Sequence, residues 1–239
     1  MSKLLETAKE NLSFLLTCIL IALALVAVAR IAEHFLPPKR KVSPTRRITL
    51  IAICSAIATV LHLLDFPLPF LAPGFYKLDF SELPVLLCSF YLGPSAGVVC
   101  EGMKILLKLL TKGTSTAFVG DFANFVVGCT LVLPAAICYH VKKTKKTALL
   151  GLALGTVIMT IFGSLFNAVY LLPKFSVLFG LPLDQIVAMG SSINGQIHSV
   201  STLVLFSVAP LNLLKAAVVS LLTLLLYKRV EKPLFEKVA

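Results

Sequence analysis

The stretch Thr147-Ala-Leu-Leu-Gly-Leu-Ala-Leu-Gly-Thr-Val-Ile-Met-Thr-Ile-Phe-Gly-Ser-Leu-Phe-Asn-Ala-Val-Tyr-Leu-Leu172 runs without one charged side chain. A helix needs roughly 20 predominantly apolar residues to cross the hydrocarbon core of a bilayer, and this run is long enough. Further apolar runs lie at 12–36, 48–64, 79–93, 95–111, 119–141 and 205–227. The whole chain agrees: 58% of its 239 residues are hydrophobic and only 14% charged, about half the charged share of a soluble domain. Its mean hydropathy is +0.95. A water-soluble fold of this size cannot hide so much apolar surface, whereas lipid accepts it on the outward faces. The expected fold class is an all-α integral membrane protein in one bundle, without a separate soluble domain.

The net charge of +11 could point to nucleic acid, so its distribution decides. Lys39, Arg40, Lys41, Arg46 and Arg47 form one basic cluster. Lys142, Lys143, Lys145 and Lys146 form a second, and Lys228, Arg229, Lys232 and Lys237 a third. All three lie between or beside apolar runs, where positive-inside sorting places them. The charge reads as topology plus attraction to anionic lipid heads, with no nucleic-acid partner. Parity sets the count. Four spans between the first two clusters and two between the second and the C-terminus put every cluster on the cytoplasmic side. The expectation is a multi-pass cell-membrane protein with a cytoplasmic C-terminus and two parts: a core of six spans over 48–230 and one extra transmembrane helix in 1–38. A cleaved signal peptide is the competing reading of the first run. That run exceeds a normal signal core, and its strongest basic cluster follows it, which favours a retained helix with its N-terminus outside.

The outward segments are then 65–78, a turn near 112–118, and 173–204. Asp65-Phe-Pro-Leu-Pro-Phe-Leu-Ala-Pro-Gly74 carries three prolines and a glycine, so it is a shaped, non-helical loop over a cavity. Asp79 and Glu82, three apart, read as the capping box of the following helix. Leu183–Met189 suits an interfacial helix.

Polar groups inside spans are costly in hydrocarbon and therefore informative. Asn212 and Lys215 share a helix face near the outer end of the last span; Lys215 either snorkels outward or lines a polar cavity. Asn167 lies at a similar depth, as interhelical glue or as a pocket residue. Asp121 and Asn124 are a helix cap or a further pocket pair. Glu101, Lys104 and Lys108 lie on one face and read as mutually paired charges. The turn Lys112–Thr116 offers backbone groups to a ligand. In the first core span, Ala52 and Ala56 lie four apart beside Ser55 and Thr59, a flat strip for another helix.

The six cysteines all fall in apolar runs with no ligand spacing, so neither a metal nor a disulfide framework is indicated. A phosphate loop GxxxxGK[ST] is absent, as are HExxH and GxSxG, and no catalytic residue is assigned. A non-transport membrane protein, an embedded enzyme or an assembly factor, is the reading from another class.

Several segments in order carry a resemblance: Phe70-Leu-Ala-Pro73, Leu78-Asp-Phe-Ser-Glu-Leu-Pro84, Leu92-Gly-Pro-Ser-Ala-Gly97, Gly113-Thr-Ser-Thr116, Gly120-Asp-Phe-Ala-Asn124, Asn167 with Leu171-Leu-Pro173, and Asn212-Leu-Leu-Lys215. Over roughly 49–230 the chain resembles the substrate-binding (S) component of energy-coupling factor vitamin transporters, most closely the riboflavin-specific type. The resemblance implies a six-helix core that binds riboflavin from outside, with no cofactor and no enzyme activity of its own. It implies ligand contacts from Leu71, Ala72 and Pro73, from Gly113 and Thr114, and from Asn167, Asn212 and Lys215. Ala52 and Ala56 correspond to the docking surface for a transmembrane coupling (T) subunit, which joins two ATPases. An S component for a different vitamin or precursor is the alternative. The helix at 12–36 has no counterpart in that core.

Overall fold

In the computed structural model, residues 12–37 and 42–230 are described. Lys39, Arg40, Lys41, Lys232 and Lys237, and the start of the chain at 1–11, lie outside them. The chain is mostly helical. Helix α1 spans Leu12–His34, α2 Pro44–Leu63, α3 Glu82–Leu92, α4 Pro94–Thr111, α5 Val119–Lys142 and α6 Lys145–Phe166. A π-helical turn, Asn167–Leu171, carries α6 into α7 (Leu172–Phe179); α8 is Leu183–Ser191. Helix α9 (Val200–Leu203) passes through a second π-helical turn, Val204–Val208, into α10 (Ala209–Val230). Among the described residues, four helical runs are long and apolar enough to cross a membrane: Pro44–Leu63, Val119–Lys142, Lys145–Phe179 and Val200–Val230.

Local chemistry sets the ends. Ser43 caps α2 by accepting from the Arg46 N–H, with Pro44 at the first helical position. Thr144 and Thr147 form a reciprocal capping box at the start of α6. Gly93 separates α3 from α4 at φ +111°, a conformation open to glycine. Helices α5 and α6 pack backbone to backbone, because Gly151 faces the Ala135 carbonyl and Gly155 the Leu131 carbonyl. Small residues permit such an approach where no hydrophobic force drives helices together.

The 65–78 segment is non-helical, as its prolines require. It forms a short antiparallel hairpin, β1 (Phe66–Pro67) with β2 (Lys77–Leu78), in which Phe66 opposes Leu78 and Pro67 opposes Lys77. The hairpin packs with α8, α9 and the second π-turn in an apolar cluster of its own that includes Tyr76, Leu78, Ile186 and Leu203. The main bundle core lies away from it, around Phe90, Leu131, Leu152 and Val219.

Helix α1 packs on α4 and α5 through Ala29, Ala22 and Val26. At the bundle end away from the hairpin, the Ser95 backbone N–H donates to Glu33 Oε1 at 2.8 Å, and Arg47 Nη2 donates to Ser95 Oγ at 2.9 Å. A carboxylate at the N-terminus of α4 complements the helix dipole there.

Some boundaries differ from the sequence reading. The span expected at 147–172 continues to Phe179, and the last helical run starts at Val200 instead of 205. A π-turn keeps the backbone hydrogen-bonded while admitting one extra residue, so an apolar pattern shows no break there. Leu183–Ser191 is helical, as expected. Asp79 and Glu82 do not form a capping box. Helix α3 starts after Ser81, which makes no side-chain cap bond, and both carboxylates are committed elsewhere.

Candidate functional site

A cavity of about 470 Å³ opens among α2, the hairpin, α3, α4, the 112–118 turn, α5, α6 with its π-turn, and α10. Its volume lies within the range of small-ligand sites. Gly113, Thr114, Asp121, Asn124, Asn167, Asn212 and Lys215 all line it. Leu71, Ala72 and Pro73 do not; Ala72 is fully buried in the hairpin's apolar cluster, with Leu71 packed against it. The same loop reaches the cavity a few residues later, through Phe75, Tyr76, Lys77 and Asp79.

The floor is an ion network. Lys215 Nζ lies 3.0 Å from Asp79 Oδ2 and 3.0 Å from Glu82 Oε1. Lys215 therefore does not snorkel; it is buried at 8% exposure and points inward. Lys104, fully buried, donates to Ser81 Oγ at 3.0 Å, Glu82 Oε1 at 3.4 Å and Asn124 Oδ1 at 3.3 Å. It also meets the Glu101 carboxylate as a close ion pair. His62 Nδ1 stands 3.3 Å from Asp79 Oδ2. Glu101 and Lys104 are thus mutual partners as their spacing suggested, while Lys108 turns away to Asp121. Paired charges survive at membrane depth, whereas unpaired ones are expelled or neutralised.

Two amides face the opening. Tyr76 Oη donates to Asn167 Oδ1 at 2.5 Å, which turns the amide nitrogen of Asn167 to other partners. Burial raises the pKa of Tyr76, so its hydroxyl stays a neutral donor. Asn167 opens the first π-turn, a distortion that recurs at functional sites. Asn212 sits over Gly163, where an added Cβ would come within 2.9 Å of Asn212 Nδ2. Glycine at 163 is what lets that amide lie against α6.

At the rim, Asp121 Oδ1 pairs with Lys108 Nζ at 2.5 Å, and Asp121 Oδ2 accepts from Thr114 Oγ1 at 2.7 Å. Asp121 does not cap α5. Met159, Leu171, Phe175 and Leu211 supply apolar walls. Four lysines and four carboxylates also line the cavity, most of them paired with one another; with the amides, hydroxyls and apolar walls, such a balanced lining suits a flat, uncharged, hydrogen-bonding ligand. Among the described residues, no group of three or more His, Cys, Asp or Glu is placed to hold a metal ion.

The sequence model for "ECF transporter, substrate-specific component" matches residues 46–227. The chain belongs to this family of ECF substrate-specific (S) components. The S component is 34% identical over 191 residues to the riboflavin transporter RibU of Staphylococcus aureus (strain TCH60), covering 80% of this chain and 93% of that protein. It is 31% identical over 193 residues to the riboflavin transporter FmnP of Bacillus subtilis (strain 168), covering 80% and 95%. A solved structure, described as "Structure and mechanism of the S component of a bacterial ECF transporter", superposes with a TM-score of 0.63 at 34% identity, covering 80% of this chain and 98% of that one. A substrate-specific component is a binding subunit of a transporter and not an enzyme. Helix α1 lies outside the matched residues.

Sequence reasoning missed Asp79, Glu82, His62 and Tyr76 as parts of this site. One signal was available. An inward-facing Lys215 needs a counter-ion at its own depth, and Asp79-Phe-Ser-Glu82 is an acidic pair at the start of another apolar helix.

Lys104→Met leaves Glu101 buried without its ammonium and should destabilise the fold by about 3–5 kcal/mol. Adding Glu101→Gln to the same chain should recover most of that loss, read as thermal unfolding in detergent. Equal melting of wild type and Lys104→Met would remove the network from the stability account.

Proposed function

We propose that this S component binds riboflavin in the 470 Å³ cavity, from the outer face of the cell membrane. One observation carries the reading: seven residues named from sequence, on four separate segments, line a single cavity. The chain also matches a riboflavin transporter along 93% of that protein's length. Riboflavin is an uncharged flat ring with a polyol chain, and the lining offers amides, hydroxyls and apolar walls to such a molecule. Asn167, Asn212 and Lys215 hydrogen-bond it, with backbone from Gly113 and Thr114. Asp121 and Asn124 belong to the pocket wall. From the first loop, the contacts move from Leu71, Ala72 and Pro73 to Phe75, Tyr76 and Lys77.

In this reading, six spans make the core over 48–230: α2, α3, α4, α5, α6 with α7, and α9 with α10. Helix α1, within 1–38, is a seventh span with its N-terminus outside, and the C-terminus is cytoplasmic. The core docks on a transmembrane coupling subunit with two ATPases. Ala52 and Ala56 face outward on α2, while Ser55 and Thr59 turn inward to the Cys100 and Lys104 carbonyls of α4. The outward pair is therefore open to a partner helix.

An absorbance scan of the purified protein should show visible flavin bands, and riboflavin should rebind after removal. A folded protein without riboflavin affinity, but with affinity for another vitamin, would reassign the ligand within the family. Asn212→Ala and Lys215→Ala should each weaken binding by about 1–3 kcal/mol; unchanged affinity in both would move the pocket. Ala56→Trp should leave riboflavin binding intact and abolish uptake by cells. Uptake at the wild-type rate would place the docking surface elsewhere.

A further inference from the structure

The turn between α4 and α5 forms the rim of the cavity, and its backbone is held in an unusual shape. Gly113 has φ +75°, and two residues that carry Cβ atoms are left-handed, Ala117 at +46° and Phe118 at +69°. Non-glycine residues persist there only when their surroundings over-determine them. What does so is a small cluster centred on Thr114. Its hydroxyl donates to Asp121 Oδ2 at 2.7 Å and accepts from the Thr116 N–H at 3.3 Å and the Phe118 N–H at 2.9 Å. Thr116 Oγ1 in turn accepts from the Gly120 N–H at 3.0 Å. Asp121 is buried at 5% exposure, and its other oxygen is held by Lys108. The carboxylate thus has a fixed position, from which it orients one hydroxyl, and that hydroxyl ties the amides on either side of Ala117, those of Thr116 and of left-handed Phe118.

We propose that Asp121 is a positioning residue for ligand binding: acting through the Thr114 hydroxyl, it holds the 112–118 turn in the shape that walls the cavity. The Thr114 side chain is used internally, so the turn offers the ligand its backbone. Loss of the clamp lets Ala117 and Phe118 relax to right-handed conformations and moves the Gly113–Ser115 backbone off the ligand. The proposal rests on riboflavin being the ligand, and the test separates the two.

The test is riboflavin titration of the full chain in detergent, together with amide hydrogen exchange of the ligand-free protein. Thr114→Val keeps the Lys108–Asp121 pair and removes only the clamp. It should weaken binding about tenfold, the scale of one lost buried hydrogen bond, and speed exchange at 113–118 while the spans stay protected. Thr114→Ser, which keeps the hydroxyl, should bind within about twofold of wild type on the same scale. Adding Thr114→Val to Asp121→Asn should cost little further, because both break one unit. Wild-type affinity in Thr114→Val, or independent multiplying losses in the double variant, overturns the proposal. A wild type that is folded but does not bind riboflavin refutes the ligand instead. The exchange measurement then decides whether the turn is held: unchanged exchange at 113–118 in Thr114→Val overturns the clamp.

Discussion

Two ammonium groups and three carboxylates meet beneath the cavity, and the site is built around them. Lys215 comes from α10, Lys104 and Glu101 from α4, Glu82 from α3, and Asp79 from the segment between the hairpin and α3. None tolerates hydrocarbon alone, so their pairing fixes where these elements lie relative to one another. The hairpin is drawn in by Asp79, which also accepts from the Ser81 N–H at 2.8 Å. Asn124 adds α5 through Lys104, and His62 adds α2 through Asp79. A polar floor at this depth gives a neutral ligand a place to exchange hydrogen bonds with water for hydrogen bonds with protein. The ammonium of Lys215 is already shared by two carboxylates, so it can donate to a ligand without presenting an unbalanced charge.

The walls above that floor are held by different means. Asn167 is aimed by the Tyr76 hydroxyl and by the π-turn it begins, while Asn212 is accommodated by the missing side chain of Gly163. The rim turn is strained and clamped. Floor, walls and rim thus draw on ion pairing, backbone distortion and close packing in turn. Each device places a polar group that lipid alone would exclude.

Much of this was legible in the sequence. Charge-poor runs of spanning length showed the helices, and Asn167, Asn212 and Lys215 stood out because polar groups are rare at that depth. What stayed hidden depends on contacts distant in sequence. Asp79 and Glu82 read as a local cap because their spacing fits one, whereas their partner Lys215 lies 136 residues from Asp79. The family resemblance points to Leu71, Ala72 and Pro73, which do not line the cavity; the proline-rich stretch itself says only that the chain is not helical, not which residues face inward. The π-turns leave hydrophobic patterning unbroken, so the ends at Leu172 and Leu205 were misplaced. Helix α1 was legible as a long apolar helix, yet its contact with the start of α4, where Glu33 meets the Ser95 N–H, joins residues 62 apart.

The proposed riboflavin site is tested most directly by locating the bound ligand. An experimental structure of the protein with riboflavin bound should show the flavin in the cavity, within hydrogen-bonding distance of Asn167 and Asn212, with Lys215 still paired to Asp79. Flavin density outside this cavity, or Lys215 swung free of both carboxylates, would contradict it.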